Sequence, residues 1–122
     1  MNLLKHLDEP YRTMVRLIAA TGLRIGELLA LRWRSLDLEI GTLSVRESVF
    51  GGKFQSPKTQ KSRRTIPLCP QAISWLREHR LRATGTASDD LVFGNRNGQP
   101  RRESKVLQNI LQPAAEAARS VE

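Results

Sequence analysis

Apolar residues return every third or fourth position from Tyr11 onward. Tyr11, Met14, Val15, Ile18 and Ala19 form one stripe, which predicts a core-facing helix running to about Ala20. Residues 3–9 before it are short and amphipathic, and Pro10 is a favoured first residue of a helix. Thr21-Gly22 breaks the pattern, after which Ile25, Leu28, Leu29 and Leu31 predict a second helix closing near Trp33. Beyond Trp33 the period changes to two: Leu36, Leu38 and Ile40 alternate with polar residues, then Leu43 and Val45 alternate through Val49. This predicts a strand at 42–49, a turn at Gly51-Gly52, a second strand over Lys53–Ser56 and a third over Arg64–Leu68. Pro67 cannot donate to a ladder, so the third strand lies at an edge or ends there. Pro70 opens a helix with Ala72, Ile73, Leu76 and Trp75 inward and Arg77, Arg80 and Arg82 outward. Leu91-Val92-Phe93 is a short apolar run before a strong turn signal at 94–98. A last helix starts near Glu103 with Leu107, Ile110, Leu111, Ala114 and Ala118 in register, and Pro113 is expected to kink or divide it. The order predicts one α+β domain, mostly helical, with a three-stranded antiparallel sheet on one side of a helical core.

One residue is out of keeping with this pattern. Arg24 falls in the first turn of the second helix, where a cation opposes the helix dipole, and on the same face as Leu28, which predicts partial burial. Glu27, three residues on, can steady it. The pair reads either as an ordinary surface ion pair or as half of a site that a phosphate completes.

Charge narrows the choice. The 122 residues carry 20 Lys and Arg against 12 Asp and Glu, a formal net charge of +8. That balance points to a polyanion, nucleic acid before anionic membrane. Cys69 is the only cysteine, so no internal disulfide forms, and His6 and His79 lack any ligand spacing; no metal and no cofactor are expected. No apolar run reaches the length of a membrane span, and the N-terminus lacks a signal-peptide core, so the expected compartment is the bacterial cytoplasm. Residues 56–64, SPKTQKSRR, form a second informative stretch: Lys58, Lys61, Arg63 and Arg64 with no acid among them, on a predicted turn. A row of exposed cations suits a phosphate backbone, and a lysine can also give a proton to a leaving oxygen.

Taken together and in order, these stretches resemble the catalytic domain of tyrosine recombinases, the phage-integrase family. Gly22, Leu23, Arg24, Glu27 and Leu28 match G-L-R-x-x-E-L; Lys58, Thr59, Ser62, Arg64, Ile66, Pro67 and Leu68 match K-T-x-x-S-x-R-x-I-P-L; Leu91, Val92, Phe93, Gly98 and Pro100 match L-V-F-x-x-x-x-G-x-P. The resemblance implies DNA recombination and integration through metal-free phosphoryl transfer, in which a tyrosine forms a covalent 3′-phosphotyrosine and a 5′-hydroxyl leaves. It implies Arg24 as the arginine that binds non-bridging oxygens, Lys58 as the lysine that protonates the leaving oxygen, and Glu27 as the acid that supports Arg24 in the active site. Lys53, Lys61, Ser62, Arg63 and Arg64 are the expected contacts to double-stranded DNA. The full-length parent is expected to assemble with itself on DNA, without metal or membrane.

The match also has gaps. After Phe93 the chain has no histidine and no tyrosine, so the family's His-x-x-Arg motif and nucleophile have no counterpart, and no N-terminal DNA-clamping domain precedes Arg24. Tyr11, the one tyrosine, lies on the apolar stripe, which predicts a core role. The expectation is therefore a partial catalytic domain over 1–122, inactive by itself. The alternative is a non-catalytic basic DNA-binding module.

Overall fold

The computed structural model describes residues 3–55 and 63–120. Helix α1 spans Tyr11–Thr21 and ends where Gly22 takes the left-handed conformation, φ +72°, with its N–H donated to the Ile18 carbonyl. Its buried stripe is rotated from the predicted one. Thr13, Met14 and Leu17 are buried, Val15 and Ile18 are half-buried, and Ala19 is exposed. Thr13 can enter the core because the Glu9 carboxylate accepts both its backbone N–H and its hydroxyl, at 3.1 and 2.7 Å.

Helix α2 is shorter than its periodicity suggests, covering Ile25–Leu29 only. Tertiary pairing ends it: the Leu31 carbonyl accepts the Val92 N–H, Arg32 bridges to Leu91, and the Trp33 N–H donates to the Asp90 carbonyl. Trp33 instead begins a 3-10 turn, and its indole N–H donates to the Gly85 carbonyl at 3.0 Å.

The mostly helical α+β class holds, with one three-stranded antiparallel sheet, but the strands are not the expected ones. Strand β1 is Leu36–Asp37 and β2 is Thr42–Val45. A separate two-stranded hairpin joins β3, Ser48–Phe50, to β4, Lys53–Gln55. Strand β5, Arg64–Pro67, completes the larger sheet in the order β1-β2-β5. The predicted strand at 42–49 thus breaks at Arg46-Glu47. Uninterrupted alternation would put Glu47 on the buried face between Val45 and Val49, an unaffordable place for a lone carboxylate. The chain leaves the sheet there, and Glu47 pairs with Arg32 at 3.2 Å. Pro67 both ends β5 and sits on an edge strand, opposite Thr42.

Helix α3, Pro70–Arg82, buries Ala72, Leu76 and His79. Helix α4, Glu103–Ser120, continues through Pro113 as one element rather than dividing. Over residues 103–112 Val106 is fully buried and Ile110 packs partly, whereas Leu107 and Leu111, predicted inward, are 44% and 62% exposed; the side chains of Ala114 and Ala118, also predicted inward, lie outside the described residues. The core gathers Met14 and Leu17 from α1, Leu28 and Leu29 from α2, Leu43 and Val45 from β2, Val49, Leu76, Phe93 and Val106.

Candidate active site

Arg24 stands immediately before α2, not within its first turn. Its backbone is extended, φ −76° and ψ 151°, and its side chain is exposed rather than partly buried. The Glu27 carboxylate explains the placement, accepting the Arg24 backbone N–H at 3.0 Å as the acidic half of a capping box. Helix α2 in turn lies tight against β3. A Cβ on Gly26 would come 2.6 Å from the Val49 carbonyl oxygen and 2.7 Å from the Ser48 hydroxyl, so glycine is what permits this approach.

Glu27 is buried, 9% exposed, yet it does not stand alone. Arg64, the first residue of β5, donates to it through both terminal nitrogens, Nη1 to Oε2 at 2.9 Å and Nη2 to Oε1 at 3.0 Å. This is a two-pronged guanidinium–carboxylate pair between residues thirty-seven positions apart. Burial pushes the Glu27 carboxyl up. The Arg64 hydrogen bonds, the Arg24 N–H and the charges of both arginines outweigh that and hold it below the usual carboxylate range. Glu27 therefore stays an anion between two cations. The Arg24 guanidinium lies within electrostatic reach of that anion but forms no ion pair with it among the described residues.

The structure thus brings Arg24, Glu27 and Arg64 together. Lys58, Lys61 and Ser62 lie outside the described residues. Arg63 is exposed and immediately precedes Arg64. Lys53 is exposed on β4, in register with Phe50, in the separate hairpin. Arg32 was not singled out from sequence but carries much of the architecture beside this hairpin. Its guanidinium lies 4.7 Å from the Phe54 ring centroid, pairs with Glu47 and donates to the Asp89 carbonyl at 2.6 Å. No local pattern marks it, because its partners are distant in the chain. Tyr11 is half-buried, and its hydroxyl accepts from Arg101 at 3.3 Å and from Asn109 at 2.8 Å. A cavity of about 610 Å³ between His79, Arg82, Arg96 and Arg101 is separate from the site, since neither Arg24 nor Arg64 lines it. Among the described residues no three His, Cys, Asp or Glu side chains cluster as metal ligands.

Comparison with known proteins decides the family. The sequence matches the phage integrase family over residues 1–121. The chain belongs to that family. Relatives include tyrosine recombinase XerC of Xanthomonas axonopodis, 38% identical over 87 residues, and the putative defective protein IntQ of Escherichia coli, 33% identical over 98 residues. These alignments cover 71% and 80% of this chain but 25% and 24% of the relatives, so the chain spans about a quarter of their length. The fold is shared with a transposon integrase and a recombinase of known structure. The Tn1549 transposon integrase in complex with circular intermediate DNA superposes with a TM-score of 0.77 at 19% identity, covering 94% of this chain and 43% of that one. XerA recombinase gives 0.71 at 22% identity, covering 95% and 39%. No described helix is long and apolar enough to cross a membrane.

Proposed function

We propose that this chain is the arginine-and-lysine portion of a tyrosine-recombinase catalytic domain, which binds duplex DNA and clamps a phosphate without itself supplying the nucleophile. The observation that carries the reading is the exposed Arg24 guanidinium, placed beside a buried Glu27 that a second arginine holds anionic. An arginine so placed offers a fixed, permanently charged fork to non-bridging phosphate oxygens, where negative charge grows during phosphoryl transfer. Lys58, by its match to the family motif, is the proton donor to the 5′-oxygen that leaves as the 3′-phosphotyrosine forms. Arg63, Lys53, Lys61 and Ser62 supply contacts to the DNA backbone. The full-length parent assembles on DNA, and in a bacterium the chain is then found with the nucleoid.

The second reading, a DNA-binding module without chemistry, is favoured by Tyr11, whose hydroxyl is engaged by Arg101 and Asn109. A nicked suicide duplex, which traps covalent recombinase–DNA intermediates, separates what the chain does alone. We expect DNA binding and no covalent adduct. An adduct would overturn the assignment of Tyr11 to the fold, and failure to bind duplex DNA at low salt would overturn the DNA reading altogether.

A further inference from the structure

Arg64 falls in the basic run that sequence assigns to DNA, but its guanidinium is directed elsewhere. Both terminal nitrogens are on the Glu27 carboxylate, at 2.9 and 3.0 Å. The same carboxylate accepts the Arg24 backbone N–H at 3.0 Å. Arg64 also opens β5, in register with Val45, so it stands where the chain enters the sheet from residues 56–62. One carboxylate is therefore the shared anchor of two segments: the backbone that presents Arg24 and the strand that follows the lysine-bearing stretch.

We infer that Arg64 is a positioning residue, holding Glu27 in the rotamer that fixes Arg24, and that it is not a DNA-backbone contact. This rests on the reading of Arg24 and Lys58 as the phosphate-handling pair. The geometry explains why the position takes arginine. A carboxylate whose Oε1 already accepts the Arg24 N–H is oriented by a planar fork that reaches both oxygens at once, a two-pronged geometry that a lysine ammonium does not offer. Lysine would neutralise a DNA phosphate nearly as well as arginine, so the two roles separate under that one substitution.

The experiment uses this chain with a fluorescently labelled duplex, measuring affinity against salt for the wild type, Glu27→Gln, Arg64→Lys, Arg64→Ala and the Glu27→Gln/Arg64→Ala double variant. A positioning role makes Arg64→Lys weaken binding nearly as much as Arg64→Ala, and leaves the double variant no weaker than the worse single one. Wild-type affinity in Arg64→Lys and additive losses in the double variant would overturn it.

A second measurement does not depend on DNA. The Arg24 amide signal in a ¹H–¹⁵N spectrum reports the proton on Glu27, its acceptor. Arg64→Ala should raise the pH midpoint of that signal toward the ordinary carboxylate value while other amides keep their positions. An unmoved midpoint would sink the positioning role. Should the wild type bind no duplex, the DNA reading fails and the amide titration still decides for or against Arg64 as the residue that holds Glu27.

Discussion

The Glu27 carboxylate concentrates more consequence than any other single group in the chain. Removing Arg64 leaves it buried with the Arg24 N–H and the Arg24 charge as partial compensation. Deeply buried pairs broken in this way lose about 3–5 kcal/mol, but the Arg64 side chain is 38% exposed and the pair is screened, so about 1–2 kcal/mol is expected. Chemical denaturation of Arg64→Ala measures it. Glu27 titrates below its ordinary value when folded, so its contribution is complete above the unfolded pKa and is lost as pH falls through the folded one. His79 adds a second acid sensitivity at higher pH. Burial between Trp33 and Phe93 lowers its pKa despite the hydrogen bond to the Val92 carbonyl. The unfolded chain then takes up a proton that the folded chain refuses, so stability should decline as pH drops below about 6.5. Melting temperatures across that range should fall in the wild type and stay flatter in His79→Phe. Gly26 is the third sensitive position. Gly26→Ala places a methyl against the Val49 carbonyl and should cost about 1–3 kcal/mol, read by the same denaturation experiment.

Among the elements, the antiparallel pieces and α4 carry most of what differs from periodicity. The β3–β4 hairpin is seated on the core by Val49 against α2, and Arg32 adds a stacking contact on Phe54 while pairing with Glu47 just before β3. Over residues 103–112, α4 presents Val106 and part of Ile110 to the core, whereas Leu107 and Leu111 of the predicted stripe are exposed. Leu111→Glu should therefore change stability by less than about 0.5 kcal/mol. Val106→Ala should cost about 1–2 kcal/mol, below the Leu→Ala range because fewer methyl groups are removed. Equal losses at both positions in denaturant titrations would show that Leu111 is covered in solution.

At the scale of the molecule, the excess of cations sets the expected behaviour toward polyanions. Binding to duplex DNA should weaken steeply with salt, the logarithm of affinity falling by about 0.9 per phosphate contacted. Replacing exposed Arg63 with alanine should reduce that slope by about one contact, measured by fluorescence anisotropy. An unchanged slope would remove Arg63 from the DNA surface.

Much of this was legible in the residues themselves. The helices at Tyr11, Pro70 and Glu103, the break at Gly22 and the edge strand ending at Pro67 follow from local periodicity and backbone chemistry, which act within a few residues. The family was legible in the order of the motifs that carry Arg24, Glu27 and Lys58, of which Lys58 lies outside the described residues. What tertiary structure decided depends on partners far apart in the chain. Leu31–Trp33 leave the α2 helix because residues 85–92 offer them better hydrogen bonds. The strand at 42–49 splits because Glu47 finds Arg32. Arg64, one cation among several in SPKTQKSRR, is distinguished from its neighbours only by the buried carboxylate that the fold brings to it. A basic run states how much charge is present; which of its members faces solvent and which completes an ion pair is settled by where the sheet and α2 meet.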